Sequence, residues 1–214
     1  MVLKTVRTEG SYDSYDSRRA SYIKKETVFL VHGHTHKDTI GNNFISIGSA
    51  GYDGLFSEVH GILVIADLHL GIPDLVVNQK KVVKTLKDGI WKEIIFLGDT
   101  FDMCLMKDQE ILTDTTGFWE WYFGNKTSKI TFIIGNHDIN LEDTNNEIRK
   151  ILLERKNTYI TDIYDICKTR FMHGHQFDKY CSGFYLFLFK ILDYINIPMK
   201  VVDWFLKKIG RGRN

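Results

Sequence analysis

The chain has 214 residues, with 28 Lys plus Arg against 27 Asp plus Glu and a formal net charge of +1. With 43% hydrophobic and 26% charged residues, wholesale disorder is excluded, and the even charge gives no electrostatic case for a dedicated nucleic-acid surface. Three cysteines, Cys104, Cys167 and Cys181, form no C-x-x-C pair, which argues against a disulfide scaffold and for a reducing compartment.

Residues 1–20 are rich in Ser, Tyr, Asp and Arg and have no apolar core. They read as a flexible arm and not as a signal peptide. Residues 21–182 are expected to form the core domain and residues 183–214 apolar C-terminal helices. No stretch offers the roughly 20 uninterrupted apolar residues that a spanning helix needs, so a cytoplasmic protein is expected.

Strands are predicted over Thr27–Val31, Phe44–Ile47, Ile62–Ala66, Ile94–Leu97 and Ile130–Ile134, each a β-branched or aromatic run bounded by Gly or polar residues. Thr158–Ile163 and Thr169–Met172 are two further candidates. Helices are predicted over Val76–Trp91 and Leu141–Lys156, and a short one over the aromatic cluster Phe118–Phe123. Continuous apolar runs mean strands buried on both faces, hence an α/β layered domain.

Of eight histidines, all but His60 follow a predicted strand. In α/β sheets, functional side chains gather at the carboxyl ends of strands. Five blocks stand there: Gly33-His34-Thr35-His36, Asp67-Leu68-His69, Gly98-Asp99-Thr100-Phe101-Asp102, Gly135-Asn136-His137-Asp138 and His173-Gly174-His175. An Asp-x-His alone is weak. The five together are close to decisive.

Carboxylates, imidazoles and one amide oxygen, with no thiolate, form a ligand set suited to manganese, iron or zinc. There are too many ligands for one ion, so two divalent ions sharing a carboxylate is the economical count. Such a pair grips a phosphate, activates water near neutral pH and stabilises an in-line displacement. Only Asp67 and Asp99 would face the ions, which leaves the site positive. It is suited to a phosphate anion.

These blocks resemble the calcineurin-like metallophosphoesterase superfamily over roughly residues 27–178. The resemblance implies a four-layer α/β/β/α sandwich and a two-metal phosphoester hydrolase. One metal would be held by Asp67, His69 and His36, and the second by Asn136, His173 and His34, with Asp99 bridging. His137 would protonate the leaving oxygen, oriented by Asp138. Asp102 would sit behind a ligand histidine, and His175 would touch substrate or a ligand. Manganese is the metal first expected, with iron or zinc as alternatives.

In the family the Gly-His-x-His block comes last. Here it comes first, so the chain looks circularly permuted, and joining its ends restores the usual order. The Asp-Leu-His-Leu-Gly and Gly-Asp-Thr-Phe-Asp wording is most similar to the UDP-diacylglucosamine pyrophosphohydrolase branch, in which inserted helices cover a lipid substrate. That branch commonly has an acidic residue where His175 stands.

From Phe184 to Ile209 a narrow polar stripe interrupts an otherwise apolar run, and Pro198 breaks it into two expected helices. A hairpin packed on the core, a lid over a lipid-bearing substrate, a homodimer contact and a peripheral membrane contact all stay open at this point. The expected substrate is a small or lipid-linked phosphoester. A nuclease of the same superfamily is the alternative, disfavoured by the absence of a basic stripe, and a non-catalytic metal-binding scaffold is the third reading.

Overall fold

In the computed structural model, which describes residues 29–33, 39–40, 44–53, 57–59, 62–166 and 168–177, the apolar runs form the strands. The expected arm at residues 1–20, His34, His36, His60, Cys167, Cys181 and the C-terminal helices at 183–214 lie outside the described residues. The elements described here belong to a unit that ends at His175.

In chain order these are β1 (Phe29–His32), β2 (Thr39–Ile40), β3 (Phe44–Ser46), α1 (Ala50–Asp53), β4 (Ser57–Val59) and β5 (Ile62–Ile65), then α2 (Val76–Asp88), β6 (Glu93–Leu97), α3 (Asp108–Leu112), α4 (Phe118–Gly124) and β7 (Lys129–Ile133). The remainder are α5 (Glu147–Leu153), β8 (Thr158–Thr161), β9 (Ile163–Ile166) and β10 (Thr169–Met172). One sheet has the order β2-β3-β1-β10-β9 and the other β4-β5-β6-β7-β8. Strands β5 to β8 are mutually parallel, and β4 runs antiparallel at the edge. In the first sheet β1 lies between β3 and β10 and is parallel to both.

The parallel strands sort their side chains by period two. Ile62, Val64, Ala66, Ile95, Leu97 and Ile133 point toward the first sheet and meet Val31, Ile47 and Phe171. Leu63, Ile65, Ile94, Phe96, Ile130 and Phe132 point the other way, onto Val82, Val83 and Leu86 of α2, Phe118, Trp121 and Tyr122 of α4, and Ile148 and Leu152 of α5. Helices, sheet and sheet are thus three of the four expected layers. At the far edge of the interface, Tyr164 of β9 donates to Glu93 Oε1 of β6 at 2.7 Å, and Lys129 of β7 stands 3.0 Å from the same oxygen.

Several boundaries differ from the sequence reading. The helix expected over Leu141–Lys156 is a 3-10 turn, Ile139–Glu142, followed by α5. The polar run Asp143–Asn146 separates them, and the Asn146 side chain caps α5 by accepting from the Arg149 N–H at 2.9 Å. Helix α2 stops at Asp88 and not Trp91, because the chain turns at Gly89 and Trp91 folds back onto it. The run Thr158–Ile163 is broken at Asp162. Strand β8 joins one sheet and β9 the other.

Candidate active site

Four strand ends converge. The loops after β5 and β6 are stitched together by Asp67 N–H to Gly98 O (3.1 Å), His69 N–H to Asp99 O (2.9 Å) and Leu70 N–H to Thr100 O (2.8 Å). Forcing these amides to face one way costs backbone strain. Asp67, His69 and Asp99 all sit in the left-handed region, at φ 52°, 51° and 49°, where L-residues with side chains are uncommon and which concentrates at functional sites. Two glycines make the approach possible. A Cβ on Gly98, itself at φ 83°, would overlap the His173 ring, and one on Gly135 would overlap the Asp99 carboxylate.

The side chains brought together are buried Asp67, His69, Asp99 and His173, with half-buried Asn136 and His137 on the more open side. Ligand atoms of Asp67, His69 and Asp99 lie within 4.8 Å of one another. His173 Nε2 lies 3.3 Å from Asp99 Oδ2 and 3.2 Å from Asn136 Oδ1. Its Nδ1–H donates to the Leu97 carbonyl at 2.9 Å, which fixes the tautomer and leaves the Nε2 lone pair facing Asp99 and Asn136. Asp99 Oδ1 accepts from the His137 N–H at 2.8 Å. The Asp99 carboxylate is therefore common to the loops after β6, β7 and β10.

Asp102 occupies a second cluster. Its Oδ2 accepts from His69 Nδ1 at 2.9 Å and lies 3.2 Å from His137 Nδ1. His69, Asp102 and His137 are close enough to hold an ion among them, and within the cluster Asp102 is hydrogen-bonded to His69. The rings of His69 and His137 meet edge to face at 4.9 Å.

Asp138 corrects an expectation. It does not orient His137, because its two oxygens accept backbone N–H groups, Oδ1 from Gly135 at 2.5 Å and Oδ2 from Thr100 at 2.8 Å. It ties the loop after β7 to the loop after β6. The carboxylate that faces His137 is Asp102. His175 is buried, its ring 5.4 Å from that of His173.

Electrostatics follow from this packing. Burial alone would raise the carboxyl of Asp99, but the imidazoles of His173, His137 and His69 hold it well below the usual carboxylate range. Burial also opposes ionisation of Asp102, which the hydrogen bonds from His137 and His69 overcome, lowering it to about 2. His137 is pushed down by burial yet raised to about 9 by Asp102 and Asp99. Asp138 is raised to about 6 by burial and by the charge of Asp99. Among the described residues, the groups that lower Asp99 and Asp102 against burial are imidazoles and not Lys or Arg. Buried carboxylates facing imidazole nitrogens without such a cation are a donor set that a divalent cation completes.

The family model for calcineurin-like phosphoesterases matches residues 60–207, well over half of the chain. The chain belongs to the calcineurin-like phosphoesterase family. It is accordingly a metal-dependent phosphoester hydrolase. No curated protein and no solved structure matches the chain. Among the described residues, no helix is long and apolar enough to cross a membrane.

Three residues near the site escaped the sequence reading. Ser49 Oγ donates to Asp67 O at 2.9 Å, and the half-exposed Tyr52 sets its ring edge-on to His69 at 5.6 Å. Neither carries a signal in a single sequence. Gln79 of α2 donates to the loop carbonyls of Leu68 and His69, and it does carry one: a polar residue on the buried stripe of an amphipathic helix.

Proposed function

We propose that the chain hydrolyses small or lipid-linked phosphoesters with two divalent ions, manganese first among them. Asp67, His69 and His36 would hold one ion, Asn136, His173 and His34 the other, and Asp99 both. When bound, the ions would supply the positive charge that neutralises phosphoryl oxygens and lowers the pKa of an attacking water. The observation that carries the reading is the division of labour among imidazoles. His69 and His173 are buried and have their tautomers fixed by Asp102 and Leu97, whereas His137 keeps 32% of its side chain exposed while facing Asp102. A protonated imidazole that substrate can reach, at the edge of a ligand cluster, is placed to donate to a leaving oxygen.

In this reading a circular permutation brings His34 and His36 to the same ions. The Gly33 N–H donates to His173 O at 2.8 Å, and a Cβ on Gly33 would come within 2.9 Å of Asp67 Oδ2. The segment leading to His34 and His36 therefore starts beside both proposed ion positions, ahead of the residues that the family model matches.

The test is to load the protein with manganese and assay bis-p-nitrophenyl phosphate, p-nitrophenyl phosphate, nucleotide diphosphate–lipid compounds and DNA. Turnover of the small or lipid-linked esters, lost in His34→Ala and His36→Ala together with bound metal, is the expected result. Hydrolysis of DNA alone would favour the nuclease reading, and metal content unaffected by both variants would remove the permutation.

A further inference from the structure

Helix α2 buries Gln79, Val82, Val83 and Leu86, the i, i+3, i+4, i+7 stripe that faces a core. Three of these four positions are apolar, as the stripe demands. Gln79 is not, and it is fully buried. Its Nε2 donates to His69 O at 2.6 Å and to Leu68 O at 3.2 Å. Its Oε1 has no hydrogen-bond partner among the described residues. A glutamine kept for stability alone is a poor choice, since a buried unpaired carbonyl costs more than an apolar side chain of the same shape.

The two carbonyls it holds belong to the strained turn. The amides of Asp67, His69 and Leu70 are directed onto the loop after β6, and Asp67 and His69 are both left-handed. Asp67 O is taken by the Gly51 N–H and Ser49 Oγ. Gln79 of α2 donates to the Leu68 and His69 carbonyls, and the His69 carbonyl also accepts from the Ile72 N–H at 3.3 Å.

We infer that Gln79 is a positioning residue of the hydrolytic site, holding the Asp67–His69 turn in its left-handed conformation through the carbonyls of Leu68 and His69. It touches neither substrate nor reacting atoms. The inference rests on the reading of Asp67 and His69 as metal ligands, and its consequence is that ligand geometry is set partly from a helix that carries no ligand. Outer partners of this kind change metal affinity when lost.

The experiment compares Gln79→Met, which keeps length and removes both donors, with Val83→Ala, which weakens the same helix face without touching the turn. Gln79→Leu repeats the comparison if the methionine variant does not fold. The first readout needs no metal: amide hydrogen exchange at His69 and Leu70, whose N–H groups are bonded to Asp99 and Thr100. The expected result is exchange at these two amides accelerated about tenfold or more beyond the change in global stability in Gln79→Met, and in step with global stability in Val83→Ala. The second is manganese affinity by calorimetry, expected to weaken about 10- to 100-fold in Gln79→Met. Exchange and affinity that track stability equally in both variants would overturn the positioning role. Wild-type protein that takes up no manganese would overturn the metal reading beneath it, a failure visible in the unmutated chain.

Discussion

His137 keeps 32% of its side chain exposed, while Asp67, His69, Asp99 and His173 are buried. The proposed function makes His137 the group that meets substrate and these four the groups that meet metal. His137→Ala is expected to retain bound metal while kcat falls about 10²–10⁴-fold, the usual range for a lost general acid. The loss should be smaller for p-nitrophenolate, which leaves without needing a proton, than for an alkyl alcohol. Rates on both substrates, measured with metal stoichiometry, check this; equal losses on both with metal retained would contradict the acid role. The same scale shows what the sequence disclosed. The gathering of Asp67, His69, Asp99, Asn136 and His173 at strand ends was legible, because an apolar run followed by Asp, Asn or His has few structural explanations. The partner of His137 was not. Asp138 is its neighbour in sequence, yet the tight turn aims that carboxylate at the amides of Gly135 and Thr100, and Asp102 arrives from a different loop.

Elements away from the site hold the sheet that presents it. Tyr122 of α4 donates to Leu152 O at 2.7 Å and shares its hydroxyl with Thr158 Oγ1 at 2.7 Å, so it joins α4 to the end of α5 and to β8. Tyr122→Phe leaves the buried Leu152 carbonyl without this donor and the Thr158 hydroxyl without this acceptor, and should cost about 1–2 kcal/mol with turnover unchanged. Burial pushes the Tyr122 phenol up to about 12, whereas the unfolded chain releases that proton near pH 10. Between these values the unfolded state binds fewer protons, so the tyrosine's contribution is full below pH 10 and is lost as pH rises toward 12. Denaturant unfolding of both proteins from pH 9 to 11.5 checks this: their stability difference should shrink, and a constant difference would contradict it. Element type was legible wherever a pattern was long and periodic, as in α2. The short edge strands β2 and β4 and the helices α1 and α3 were not, since two to five residues show no period. The split of the run into β8 and β9 depends on two sheets competing for it, which local sequence does not report.

At the scale of the molecule, the parallel order β5-β6-β7-β8 places three motif loops side by side, and β1 lies parallel to β10 in the other sheet. At the end of β1 the Gly33 N–H donates to His173 O, and the proposed permutation has the motif that begins there join the site. A rearranged chain in which residues 21–59 follow residue 214 through a flexible linker should fold and hydrolyse the same esters. The measurement is its turnover and metal content against the natural order, and a folded rearranged chain without metal would contradict the permutation. The account as a whole turns on Asp99, whose carboxylate meets His173 and the amide of His137. Metal stoichiometry by inductively coupled plasma mass spectrometry, on manganese-dialysed wild type and Asp99→Asn, tests it most directly. Two ions per wild-type chain, with at most one ion and hydrolysis of bis-p-nitrophenyl phosphate largely abolished in Asp99→Asn, is the predicted result. An Asp99→Asn protein that keeps two ions and near-normal turnover, or a fully active wild type with a single ion, would contradict it.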